Sequence, residues 1–197
     1  MSEKGKIVFI CAVPEESNRE TMLWGYPIVH VGVGKINAAY KTALAIKEYG
    51  PTLVCNFGSC GSFMLPKGAM LAVSEVVNAD MDATPLVPYT VTPFDKNGGR
   101  LALQCKGTKG VRCFTTETFT SQEKVESFSP AKRALLSSCD IFEMELYAIA
   151  KVCQDLKVDF VSYKWVSDDG GLEEWQQNCK IGFNHFKEEF FKNYLVN

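Results

Sequence analysis

The strongest constraint on the fold is a strand with no polar face. "KIVFICA" (6–12) is continuously apolar, which is the signature of a strand buried on both sides. Such a strand belongs in a sheet covered by helices, and the chain alternates strands with helices throughout. "YPIVHVGVG" (26–34) holds a second strand that ends in glycines. "INAAYKTALAIKEYG" (36–50) is helical in period through Ala39, Ala43 and Ile46, with Gly50 as a stop and Pro51 just after it. "TLVCNFG" (52–58) and "AMLAVSEVV" (69–77) are further apolar strands.

The second half continues the pattern. "DMDATPLVPYTVTPFDKNGGR" (80–100) is rich in proline, aspartate and glycine and reads as a long surface loop, a kind that often carries function. "RLALQC" and "VRCFTTETF" read as strands, and "SQEKVESF" as a helix capped by Ser121. "DIFEM" is a strand leading into a helix over 145–156, where Leu146, Ile149, Ala150 and Cys153 form one apolar stripe. "VDFVSYKWV" (158–166) is the last strand, and 172–195 an amphipathic closing helix rich in aromatics. No repeat, linker or low-complexity tract interrupts the 197 residues. The expected fold is therefore α/β: a single domain over 1–197 with a mixed, largely parallel central sheet flanked by helices.

Composition excludes several classes. The formal net charge is -2 with no basic run, so nucleic acid is not an expected partner. The N-terminal apolar stretch covers about eight residues, too short for a membrane span, and lacks a cleavage pattern. A cytoplasmic protein is expected. Its eight cysteines then read as reduced thiols, mostly in apolar runs. There is no C-x-x-C, and His30 and His185 lie far apart, so a zinc site is not expected.

Polar or glycine-rich groups follow the apolar strands. They are "PEES", "GVGK", "NFGSCGS", "TTETFT", "EME" and "SDDGG", in that order. In an open α/β sheet, ligands bind outside the carboxyl ends of the strands. Glu16, Gly32 to Lys35, Ser59, Phe119, Glu145 and Asp168 would thus meet at one edge. This gives Glu143 and Glu145 a reason to stand where a buried strand meets a buried helix, a place carboxylates otherwise avoid. Each group taken alone has a plainer reading as a turn, a helix start or a core residue. "GVGK" in particular is no phosphate loop, because Val29 stands where a Walker glycine would be and Ile36 follows the lysine. Only their joint order argues for a site.

That joint order resembles the nucleoside phosphorylase and nucleosidase superfamily, and within it the methylthioadenosine/S-adenosylhomocysteine nucleosidases. "AVPEES" is similar to the family's A-M-x-E-E, "GVGKINAA" to G-I-G-K-x-x-A-A, and "NFGSCGS" to N-T-G-S-A-G-G. "FEMELYAIAKVC" resembles V-x-M-E-x-x-A-I-A-x-V-C, the most specific match, and "VSDDG" resembles I-S-D. The resemblance implies a nucleoside phosphorylase-like fold, a homodimer and a purine nucleoside substrate, with neither metal nor cofactor.

It also implies roles. Glu16 would activate the attacking water, and Asp168 would donate a proton toward N7 of the leaving purine. Glu145 would receive the ribose hydroxyls, with Met144 against the sugar. Phe119 would stack on the base, and the Thr120 backbone would pair with its edge. Val33 would contact the 5′ substituent. Ser59 and Lys164 would lie near the water, the lysine replacing an arginine usual in the nucleosidases, and Ser167 would be among the substrate-binding residues. The chain departs from the family in a short segment between Glu16 and Gly32, where a hairpin is expected to be trimmed. "SDDGG" lacks a later acid, and Leu146 stands for an alanine. The first and last of these departures bear on 5′ and base specificity. The reading is a purine nucleosidase acting on a 5′-methylthioadenosine-like nucleoside. The alternatives are a phosphate-dependent phosphorylase and a non-catalytic nucleoside-binding protein.

Overall fold

A computed structural model of the chain describes residues 6–95, 98–106 and 110–196. Its strands are β1 (Ile7–Cys11), β2 (Met22–Leu23), β3 (Tyr26–His30), β4 (Leu53–Gly61), β5 (Met70–Asn78), β6 (Arg100–Ala102), β7 (Val111–Thr115), β8 (Ile141–Glu143) and β9 (Asp159–Asp168). Its helices are α1 (Lys35–Tyr49), α2 (Gln122–Glu126), α3 (Pro130–Ser137), α4 (Leu146–Asp155), α5 (Leu172–Asn178) and α6 (Phe183–Phe190).

One mixed sheet joins all the strands, and part of it closes on itself. β4 pairs with β9, β9 with β5, β5 with β7, β7 with β8, and β8 returns to β4 through Gly61 and Phe142. The open limb β2–β3–β1 joins this ring along β4, and β6 flanks β5. The β1–β3, β1–β4, β4–β9, β5–β7 and β7–β8 ladders are parallel. The remaining ladders are antiparallel.

β1 is covered on both faces, as its apolar run requires. Val8 and Ile10 pack into a cluster with Ala38 and Ala45 of α1 and Leu146, Ile149 and Cys153 of α4. Phe9 and Cys11 face the other way, into a cluster with Phe57, Trp165, and Phe183, Phe186 and Phe190 of α6. Full burial of each such side chain contributes roughly 1.5–3 kcal/mol.

The structure corrects four expectations. First, the closing helix over 172–195 is broken into α5 and α6 and ends in a π-helical turn, Phe191–Leu195. Gly182 lies flat on Trp165, where a Cβ would sit 2.1 Å from Cγ of the indole, and the indole N–H donates to the Cys179 carbonyl at 3.1 Å. The chain turns there to accommodate the ring. Second, α3 was not expected at all. Ser129 caps it by accepting from the Lys132 N–H, and Pro130 occupies its first turn. Third, β4 runs through Ser59 to Gly61 and does not stop at residue 58, because β9 continues to pair with it. Fourth, β9 does not stop at residue 166 but runs on to Asp168. The hairpin before Gly32 is trimmed, as expected, to a minimal form. β2 and β3 pair across Trp24 and Gly25, both with positive φ, which suits a tight two-residue turn.

Candidate active site

A cavity of about 470 Å³ opens at the carboxyl ends of β1, β3, β4, β7, β8 and β9. Glu16, Val33, Ser59, Phe119, Thr120, Met144, Glu145 and Asp168 all line it. So do Cys60, Phe142, Glu143, Leu172 and Trp175, to which no role was given from sequence.

Glu16 comes from the 3-10 turn Pro14–Ser17 that follows β1. The turn folds its carboxylate back into the protein, where it is buried. Oε2 accepts from the N–H groups of Ala12 (2.9 Å) and Val13 (3.3 Å). Oε1 accepts from the N–H (2.8 Å) and the hydroxyl (2.6 Å) of Ser59. Gly58 allows this approach, since a Cβ there would stand 2.9 Å from Oε1. The Ser59 hydroxyl in turn accepts from Nε1 of Trp175 at 3.1 Å.

The two glutamates of "FEMEL" have different surroundings. Glu143 is held from within the fold. Its Oε2 accepts from the N–H groups of Glu145 (2.9 Å) and Leu146 (2.7 Å) at the start of α4, and from Lys164 Nζ (3.3 Å). Its Oε1 accepts from the Thr115 hydroxyl at 2.5 Å. It therefore satisfies orphan N–H groups at a helix start and pairs a buried cation. Glu145 accepts only from the Gly34 N–H, at 2.8 Å, among the hydrogen bonds of the described residues. Burial, followed by the nearby Glu143 charge, raises its pKa to about 8, against the opposing pull of Lys164 and the Gly34 N–H. Lys164 is fully enclosed, yet Glu143, Glu145 and Glu16 outweigh the burial and hold its ammonium well above its usual range.

Asp168 ends β9. Between Val166 and Asp168, β9 has one residue more than the β4 segment it pairs with, so Ser167 forms a bulge. The Ser167 hydroxyl lies 2.7 Å from Asp168 Oδ2 and 3.1 Å from the Cys60 carbonyl. The Gly170 N–H donates to Oδ1 at 2.9 Å. Burial raises the Asp168 pKa. The two hydrogen bonds oppose that rise, and the charges of Glu174 and Asp169 add to it.

The loop 116–120 carries Phe119 and Thr120 and is tied at its base. Asp80 receives Lys35 Nζ and Lys132 Nζ, each at 2.6 Å, with the Thr116 hydroxyl (2.8 Å) and the Glu117 N–H (2.7 Å). These contacts hold its carboxyl well below the usual range, although burial opposes them. The lysine of "GVGK" thus supports a loop and does not point into the cavity. Two of the sequence-predicted site residues lie behind the cavity wall. Lys164 faces Glu143, and Ser167 sits between Asp168 and the Cys60 carbonyl.

Every charged side chain lining the cavity is acidic. Among the described residues, no group of three or more His, Cys, Asp and Glu is placed to hold a metal ion. No described helix is long and apolar enough to cross a membrane.

Trp175 was the hardest of these residues to find from sequence. It stands in "LEEWQQN", where a tryptophan reads as one more aromatic of the closing helix. Glu143 stood out as an acid at a strand end, but its partners Thr115 and Lys164 are far away in sequence.

Comparison with known proteins gives this geometry a context. The model of the phosphorylase superfamily matches residues 21–189, a span that begins beyond Glu16. A 5'-methylthioadenosine/S-adenosylhomocysteine nucleosidase of Geobacillus sp. (strain WCH70) is 32% identical over 177 residues, covering 82% of this chain and 73% of that protein. The crystal structure of the nucleosidase of that name from Neisseria meningitidis, in complex with methylthio-immucillin-A, superposes with a TM-score of 0.71 at 25% identity, covering 96% of this chain and 95% of that one. A futalosine hydrolase mutant of Helicobacter pylori shares the fold with a TM-score of 0.80 at 17% identity, covering 97% of this chain and 98% of that one. By this match and these relatives, the chain belongs to the phosphorylase superfamily.

Proposed function

We infer that the protein is a purine nucleosidase. It hydrolyses the N-glycosidic bond of a ribonucleoside to free base and free sugar, and a 5′-methylthioadenosine-like nucleoside is its substrate. The observation that carries this reading is the all-acidic charged lining of the cavity, with Glu16 at its wall. Cleavage builds positive charge on the sugar, which carboxylates stabilise. A phosphate nucleophile would meet the Glu16 carboxylate at the same wall. Each pair of unit charges costs roughly 4 kcal/mol at about 4 Å and an effective dielectric near 20. Water meets no such barrier. The chain has only Arg19, Arg100, Arg112 and Arg133 as arginines, and none of them lines the cavity. A 5′-phosphorylated substrate is disfavoured for the same reason.

In this reading, Glu16 takes a proton from water as the oxygen attacks C1′. The bond from C1′ to the base breaks, and its electrons pass into the purine. Asp168, whose pKa is raised by burial, supplies a proton at N7 of the leaving base. Glu145 accepts the ribose hydroxyls, and Met144 lies against the sugar. Phe119 stacks on the base, the Thr120 backbone pairs with its edge, and Val33 meets the 5′ group. Ser59 holds Glu16, Lys164 acts from behind the wall through Glu143, and Ser167 acts through Asp168. No cofactor is required by these steps.

The protein acts in the cytoplasm as one domain, and it works as a homodimer. The outer face of α1 supports the dimer. Ile36, Tyr40 and Leu44, spaced one turn apart, are 83%, 65% and 45% exposed and continue toward Val33 at the cavity. A panel of nucleosides in phosphate-free buffer, with products separated by chromatography, tests the function. Base and free sugar should appear without phosphate, and added phosphate should not accelerate their release. Glu16→Gln should remove turnover and leave adenine binding measurable by calorimetry. A ribose 1-phosphate product would replace this reading with phosphorolysis.

A further inference from the structure

The polar contacts of Glu16 reach one residue further than its immediate partners. Four donors of this fold hold the Glu16 carboxylate. Three are backbone N–H groups of Ala12, Val13 and Ser59, fixed by the end of β1 and by β4. The fourth is the Ser59 hydroxyl, a rotor with one proton and two lone pairs.

Trp175 decides how that rotor points. The indole N–H is a donor only, so Ser59 Oγ must accept from it across their 3.1 Å separation. The single Ser59 proton is then left for Glu16 Oε1 at 2.6 Å. The chain has one direction, from Trp175 through Ser59 to Glu16. Trp175 itself belongs to the element that covers the cavity, since α5 also contributes Leu172 to the lining. Asn178 Nδ2 ties α5 to the Ser167 carbonyl at 3.0 Å, and Glu174 ties it to Lys67 by an ion pair.

We propose that Trp175 is a positioning residue for hydrolysis: by fixing the Ser59 hydroxyl, it orients Glu16 and makes that orientation depend on the seating of α5 over the cavity. The proposal rests on Glu16 being the water-activating base. It assigns to α5 a task in the chemical step as well as the exclusion of solvent.

A double-mutant cycle tests it. Trp175→Phe keeps an aromatic ring and removes the N–H donor. It should lower kcat by roughly five- to tenfold, the effect of one neutral hydrogen bond, with KM and calorimetric adenine affinity within about twofold of wild type. Trp175→Leu removes ring and donor together and controls for packing. In a Ser59→Ala background, Trp175→Phe should have no further effect, because its only route to Glu16 is gone. Additive losses in the cycle, or a Trp175→Phe enzyme with wild-type kcat, would overturn the proposal. Adenine binding by each variant establishes that its pocket has folded. Wild-type protein that releases no base without phosphate would remove the parent reading and this inference with it. Wild-type hydrolysis combined with an additive cycle would remove this inference alone.

Discussion

Glu145→Gln should make the protein more stable in alkaline solution while crippling turnover. The amide oxygen can still accept the Gly34 N–H that now donates at 2.8 Å, so the change removes a buried titrating group and little else. The Glu145 pKa in the folded chain is about 8, against an ordinary 4.5. Below the ordinary value, folded and unfolded chains both hold the proton and nothing is lost. Between the two values, the folded chain retains a proton that the unfolded chain has released. Stability therefore falls as pH rises, by about 1.4 kcal/mol per unit, and the loss levels off above the folded pKa. From roughly pH 5.5 to 8.5 the wild type should lose on the order of 3 kcal/mol through this group, and glutamine should lose none. Urea unfolding of both proteins at these two values measures the difference directly, because other titrating groups largely cancel between them. The advantage of the glutamine variant should be small in acid and large in base. A difference that stays constant across this range would refute the account of Glu145 as a carboxyl held neutral by burial and by Glu143. In the same variant, kcat on purine ribonucleosides should fall sharply in alkaline solution, where the wild-type carboxyl is ionised and supports a cationic sugar that an uncharged amide cannot.

Asp168→Asn should fold normally and lose on the order of 10²–10⁴ in turnover of adenine nucleosides, as expected when a general acid is removed. A nitrophenyl riboside, whose leaving group needs no proton, should be spared, and equal losses on both substrates would exclude the assignment. Lys164→Met should destabilise the protein by about 3–5 kcal/mol in urea unfolding, because Glu143 is left as a buried charge without its cation. Gly61→Ala would place a Cβ 2.0 Å from Phe142 Cε2, in a ring that packs on Phe63 at 4.8 Å. It should cost about 1–3 kcal/mol of stability and weaken adenine binding by reshaping the cavity wall.

The parts of this molecule that sequence made legible are those whose signal is local. An apolar strand followed by a polar cluster is visible in a dozen residues. Because ligands gather at strand ends, Glu16, Val33, Ser59, Phe119, Glu145 and Asp168 could be placed at the cavity without knowing the order of the strands, while Thr120 and Met144 came from the family resemblance. What stayed hidden depends on partners distant in the chain. Lys164 and Ser167 belong to the same strand as Asp168, yet the bulge set by pairing with β4 fixes only how Ser167 and Asp168 point, and Lys164 meets Glu143, a residue distant in the chain. The break between α5 and α6 is dictated by the Trp165 ring beneath Gly182, which no periodicity within 172–195 records. α3 was overlooked for a different reason. Ser129 and Pro130 announce a helix start, but the helix is only eight residues long and buries little beyond Leu135 and Leu136.

The strand ring has a mechanical consequence for the cavity it helps to build. Each of its five members is gripped by a neighbour on either side, so none can peel away without rupturing two ladders. Ser59, Phe119, Glu145 and Asp168 all stand on or just beyond these braced strands. Glu16 and Val33 follow β1 and β3, whose limb meets the ring along a single ladder from Ile7–Leu53 to Ile10–Asn56 and through the packing of α1 on α4. The molecule is thus an anvil and a jaw, the braced ring forming one and the β2–β3–β1 limb the other. The contacts from Glu16 to Ser59 and from Gly34 to Glu145 cross the line where they meet like two clasps.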